Sequence, residues 1–224
     1  MTPDSRYDVS GLVEAQFEPG SRKRVLKNRL GITRKSEMDN AELESLDSAT
    51  VSLIHQYGPG HRFTAADLKH MHKVWLGGIY QWAGQYRQVN VGKGGFMFAA
   101  AGFVPNLMKD FENGPQMRHT PCVYDSRDRI IEAIAEVHVE LLLIHPFREG
   151  NGRLARMFAG LMASQSNFTM LDFTGLKGKK KEEYFAAVRA GLDRDYRPMQ
   201  DIMDYVIKRT LRVSGGQPSF PDSV

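Results

Sequence analysis

The segment SRDRIIEAIAEVHVELLLI, residues 126–144, does most to limit how this chain can fold. Ile130, Ile131, Ile134, Val137, Leu141, Leu142 and Ile144 cover a broad face on a 3.6-residue period. Ser126 is a suitable N-cap. A helix this apolar needs neighbours on several sides, so it is expected at the centre of the fold. The next residues, HPFREGNGRLARM, cannot continue it. Pro146 has no amide hydrogen, and Gly150 carries the largest backbone-entropy cost. A second helix is expected to begin at about Gly152 and run to Ser164.

The rest of the chain is mostly helical in pattern. From Ala41, AELESLDSATVSLIHQY sets Leu43, Leu46, Val51 and Ile54 near one face, which is the expected buried face. GPGHR breaks this helix, and Thr64 caps the next. In that helix and just beyond it, Phe63, Leu68, Met71, Trp75 and Ile79 can share a buried side. The one strand signal is QVNV and GFMF around Gly92-Lys93-Gly94-Gly95, read as a small hairpin. VPNLMKDFENGP, KKKEEYFAAVRAGL and MQDIMDYVIKRTLR read as further helices. The expected fold is all-α, a helical bundle with one short β-hairpin. Residues 1–40 read as an irregular arm, 41–212 as the main domain and 213–224 as a disordered tail.

The 224 residues suit one domain with an appendage. The formal charge of +4 fits a phosphate-bearing ligand but is too small to argue for a nucleic-acid groove. Cys122 is the only cysteine, which excludes an internal disulfide. No apolar run is long enough to span a bilayer, so no membrane partner is expected. The polar start, MTPDSRYDVSG, lacks the apolar stretch of a signal peptide. A cytoplasmic location is therefore expected, and export without a cleavable signal stays open.

The loop between the two helices has its own chemistry. The first N–H groups of the second helix have no helical partner and form an anion site. Gly150 and Gly152 allow a phosphate to come close to the backbone. Arg153 and Arg156, at i and i+3, can reach the same polyphosphate. Glu149 is the one acid in this positive field, and a carboxylate beside phosphates commonly holds Mg2+. His145 can take a proton near neutral pH. Base, metal ligand and anion cradle are the parts of phosphoryl or nucleotidyl transfer. Phe147 is expected to anchor the loop in the core. A zinc site at His145 and Glu149 is disfavoured, because Pro146 spoils helical ligand geometry and no third ligand is evident.

His145 through Arg156 resembles the signature of the Fic/Doc family, H-P-F-x-[D/E]-G-N-[G/K]-R-x-x-R, at every defined position. LKHMHKVWLGGIYQWAGQYR is similar to the family's helix before the flap, and the resemblance covers roughly residues 41–212. It implies a Fic-type helical bundle with the hairpin as a flap over the active site. It also implies a protein adenylyltransferase that moves AMP from ATP to a Ser, Thr or Tyr hydroxyl of a target protein. His145 is then the general base, and Glu149 binds Mg2+. Gly150, Asn151 and Gly152 cradle phosphate, the Asn151 side chain adding a contact; Arg153 holds the α/β region and Arg156 the γ-phosphate. Lys93 and Gly94 touch the nucleotide, and Val91, Gly92, Gly95 and Phe96 line up the target. The family's kinase-like branch carries lysine where this chain has Gly152, which favours nucleotidyl transfer. The alternatives are another phosphate-linked transfer, removal of AMP, or a non-catalytic nucleotide-binding adaptor.

Many relatives carry an inhibitory [S/T]-x-x-x-E-[G/N] helix. The strict motif is absent here, and the partial matches are Ser10–Glu14 and Thr33–Glu37. The better one predicts that Glu14 restrains Arg156; a separate, antitoxin-like inhibitor protein is the competing expectation. His70 and His72 read as surface or partly packed, His138 as structural, and Trp75 and Trp82 as core and flap-base residues. The basic run Gly175–Tyr184 reads as a solvated helix start, with docking of an acidic target as the weaker alternative.

Overall fold

A computed structural model describes residues 11–215. Eight helices and one two-stranded hairpin follow in the order α1 (Lys35–Gln56), α2 (Ala65–Leu76), β1 (Gly92–Lys93), β2 (Phe96–Met97), α3 (Val104–Phe111), the single turn α4 (Met117–His119), α5 (Arg127–Ile144), α6 (Asn151–Ser164), α7 (Lys179–Ala190) and α8 (Arg197–Ser214). The all-α expectation with one hairpin holds.

α5 is the centre. Its buried residues, from Ile130 to Ile144, lie on nearly all sides of the helix, and α3, α6, α7 and α8 pack around it. The Ser126 hydroxyl accepts from the Arg129 N–H at 3.4 Å, as expected of the cap. At its other end His145 adopts a left-handed backbone, φ +52°, just before Pro146. That reversal stops the helix and turns the chain into the loop. α6 restarts at Asn151, one residue before the expected start.

α1 and α2 form a second layer packed together, and α2 also touches α6. Thr64 and Asp67 make a reciprocal capping box at the start of α2. α1 corrects the reading in two ways. It begins at Lys35, inside the segment read as an irregular arm. Its buried residues are Met38, Glu42, Ala49 and Leu53, whereas Leu43 and Val51 are exposed and Leu46 and Ile54 only half-buried. The helix is rotated because Glu42 finds polar partners inside, which hydrophobic periodicity cannot register. α8 runs to Ser214, two residues into the segment read as a tail, and residues 216–224 lie outside the described residues.

β1 and β2 pair antiparallel, Gly92 with Met97 and Lys93 with Phe96. Gly94 and Gly95 both have positive φ, +57° and +78°, which a two-residue turn between twisted strands requires. Among the described residues no helix is long and apolar enough to cross a membrane.

Candidate active site

The loop from His145 to Gly150 is held from beneath. Phe147 is fully buried and stacks on His72, ring centroids 4.0 Å apart. The Asn151 side chain is also buried. Its Oδ1 accepts from the Phe147 N–H at 2.8 Å and its Nδ2 donates to the Phe147 carbonyl at 2.7 Å. Both ends of that amide clasp the Phe147 backbone, and one Nδ2 hydrogen is not used by the clasp. Gly150 sits at φ +83°, where a Cβ would lie 2.7 Å from the Trp75 ring, so only glycine fits.

The His145 ring is half-buried and stacks face to face on Phe98, centroids 3.6 Å apart. Its Nδ1 lies 3.1 Å from the Leu142 carbonyl, which can only accept. This network assigns the proton to Nδ1 and leaves the Nε2 lone pair free. Burial pushes the His145 pKa down to about 4, with Arg87 and Lys93 adding to the shift. The imidazole is thus a neutral base at pH 7.

His72 corrects the surface reading. It is fully buried; its Nδ1 accepts from the Gly84 N–H at 2.8 Å, so Nε2 carries the proton and donates to the Glu149 carbonyl at 3.1 Å. It pins the loop next to the one acid. Burial holds its pKa down at about 4. The Glu149 side chain is half-exposed, with Oε1 accepting from the Gly150 N–H at 3.0 Å.

Arg153 and Arg156 both project from the first turns of α6. Arg153 lies over the Trp75 ring, 4.8 Å from its centroid, and its Nη2 donates to Glu42 at 2.6 Å. Arg156 lies against the Tyr184 hydroxyl, beside the buried His138 that accepts from or donates to that hydroxyl at 2.7 Å. His138 is buried, and its Nδ1 donates to the Ala155 carbonyl at 3.1 Å. Lys93 extends from the hairpin over the Phe185 ring at 5.5 Å, and Val91 accepts from the Phe98 N–H at 3.2 Å. Gly92, Lys93, Gly94 and Gly95 are exposed and Phe96 is half-buried.

Glu14 corrects another expectation. Its carboxylate is buried and accepts from the Gln88 N–H at 2.6 Å, and its carbonyl accepts from Arg148 Nε at 2.9 Å. Among the described ion pairs there is none with Arg156. Ser10, the other end of that partial motif, lies outside the described residues.

Four residues that motif reading missed complete the site. Glu42 and His72 support the loop from α1 and α2. Phe98 covers the His145 ring. Arg87, buried, donates to the His145 carbonyl at 2.7 Å, the Val89 carbonyl at 2.8 Å, the Ile144 carbonyl at 3.3 Å and the Ala99 carbonyl. One guanidinium thus ties both stems of the hairpin to the loop that follows α5.

A central helix, a left-handed histidine, a glycine-bearing anion loop and a hairpin thus meet at one place. Residues 62–163 match the Fic/DOC family. The probable protein adenylyltransferase Fic of Escherichia coli K12 is 26% identical over 189 residues, spanning 82% of this chain and 88% of that protein. The corresponding Salmonella typhimurium protein is 28% identical over 155 residues, 65% of this chain and 71% of that one. Among solved structures, the Bartonella tribocorum effector BepC with bound AMPPNP superposes with a TM-score of 0.69 at 22% identity, covering 88% of this chain and 97% of that one. The N-terminal Fic domain of a Bartonella quintana effector gives 0.69 at 23% identity, covering 91% and 98%.

Proposed function

We propose that this chain is a protein adenylyltransferase that moves AMP from ATP to a Ser, Thr or Tyr hydroxyl of a target protein. The observation that carries the reading is the state of His145: neutral, with Nδ1–H held by Leu142 and Nε2 free, beside the N-terminus of α6 and its two arginines. The names of the relatives support the same activity. In this reading the target hydroxyl oxygen attacks the α-phosphorus of ATP and the α–β phosphoanhydride bond breaks. His145 Nε2 takes the hydroxyl proton, and pyrophosphate leaves. The backbone N–H groups at Asn151 and Gly152, with Arg153 and Arg156, hold the phosphates, and the Gly150 N–H joins them once Glu149 turns from it.

Among the described residues no three or more His, Cys, Asp or Glu side chains gather as a metal cage. One half-exposed carboxylate, Glu149, still fits Mg2+, which keeps several waters and is commonly held by one or two carboxylates plus substrate phosphates. That ion would neutralise phosphate charge in the transition state.

The exposed hairpin around Val91–Phe96 takes an extended target segment by strand addition, and Lys93 and Gly94 face the nucleotide. The working unit is residues 41–212 together with the start of α1. A separate inhibitor protein acts as the restraint, since Glu14 is engaged at Gln88; co-purification of a second polypeptide that suppresses transfer tests this.

The function is tested by incubating the protein with α-labelled ATP, Mg2+ and a cell lysate, beside a His145→Ala form. A labelled protein band with the wild type alone supports the reading. Equal labelling by both forms refutes the role of His145.

A further inference from the structure

We infer that Glu42, on α1, is a positioning residue that presets Arg153 for the phosphates of the nucleotide. The inference rests on the proposed ATP site and adds the residue that shapes it. Glu42 is buried, and each of its oxygens has a partner. Oε1 accepts from the Tyr80 hydroxyl at 2.6 Å, Oε2 from Arg153 Nη2 at 2.6 Å, and the backbone carbonyl from Trp75 Nε1 at 2.9 Å. Tyr80 is stacked on Trp82, 4.5 Å between centroids, so its hydroxyl is itself fixed.

Glu42 therefore has little freedom of its own. Arg153 is held by the Glu42 carboxylate and by the Trp75 face, and the same Nη2 lies 3.5 Å from Glu149 Oε1, the longer and more exposed of its two ion pairs. Its side chain keeps a quarter of its surface exposed, against 4% for that of Glu42. A guanidinium has five N–H donors, and the pairing with Glu42 uses one of its nitrogens. The rest of the fork stays available on the exposed side, next to the α6 N-terminus. A free arginine side chain must lose rotamer freedom when it captures an anion, and one pinned beforehand loses less. The buried carboxylate also gives the desolvated guanidinium a counter-charge before the phosphates arrive. Tyr57, at the C-cap of α1, and Asp67, in the first turn of α2, make a comparable pair, but it serves the helix cap and bonds to no residue of the His145–Arg156 segment.

The test is direct ligand binding, measured by calorimetry on the full chain with ATP and with adenosine. Four forms are compared: wild type, Glu42→Gln, Arg153→Ala and the double variant. Glu42→Gln keeps the size and a partner for Tyr80 but loses the charge that holds Arg153. ATP affinity is expected to fall on the order of tenfold, with adenosine affinity unchanged. In the Arg153→Ala background the same change is expected to cost nothing further, because the two act as one unit. Tyr80→Phe leaves the ion pair intact but frees Oε1, and is expected to weaken ATP binding in the same direction by less. Independent, additive losses would overturn the inference, as would equal loss of adenosine binding. Tighter ATP binding in Glu42→Gln would also overturn it and make Glu42 a brake. If Glu42→Gln fails to fold, the Tyr80→Phe result decides alone: unchanged ATP affinity overturns the inference. A wild type that binds ATP without transferring AMP refutes the activity but leaves this cycle readable. A wild type that binds no ATP refutes both.

Discussion

Acidification should destabilise this fold well above the range where carboxylates titrate, and the two fully buried histidines set the minimum size of the effect. His72 and His138 are fully buried and neutral, with pKa values pushed down by burial to about 4 and about 3. In the unfolded chain each returns to about 6.5. Above about pH 6.5 both states are neutral and the histidines contribute no pH dependence. Below it the unfolded state binds protons that the folded state refuses, so stability is lost as pH falls from about 6.5 towards the folded values. From about pH 7.5 to about pH 5 the loss is about 2 kcal/mol for each histidine, or about 4 kcal/mol for the pair, at about 1.4 kcal/mol per unit. That is a large part of the stability of an ordinary domain. Urea unfolding at several pH values measures it directly. Unfolding free energy that stays flat between these limits would refute the reasoning. So would NMR resonances of His72 and His138 in the folded protein that titrate at the ordinary value.

The same burial makes His145 a neutral base down to about pH 4, so the transfer rate should show no acidic limb from His145 wherever the protein stays folded; a limb near 6.5 in kcat/KM would contradict this. Gly150→Ala must place a Cβ against Trp75 at a positive φ, and should lower stability by roughly 2 to 4 kcal/mol in thermal or urea unfolding. Arg87→Met keeps the bulk but removes four carbonyl ties, so amide exchange should speed up over residues 89–99 and the transfer rate should fall, with ATP affinity little changed.

How much of this was legible in the sequence depends on how far apart the partners lie. α5 and the loop after it could be read because their signals are local: an apolar period, a proline and glycines, and arginines one turn apart. The hairpin was legible from its two adjacent glycines. Glu42 was not, because a charged residue on a helix reads as solvated until its partner is known, and Arg153 lies 111 residues away. His72 escaped for the same reason, with its loop partner 77 residues distant. Apolar spacing alone, blind to a buried Glu42, put Leu43 and Val51 on the wrong side of α1. Glu14 shows the converse. A loose local pattern suggested a partner at Arg156, and the fold instead delivered the carboxylate to the backbone of Gln88.

The central claim is that His145 and the loop after it transfer an adenylyl group to a protein hydroxyl. Parallel reactions with α-labelled and γ-labelled ATP, followed by mass analysis of the modified peptide, test it most directly. The account predicts label from the α position only, an added AMP on a Ser, Thr or Tyr, and loss of both in His145→Ala. Label from the γ position, or an unchanged product with His145→Ala, would contradict it.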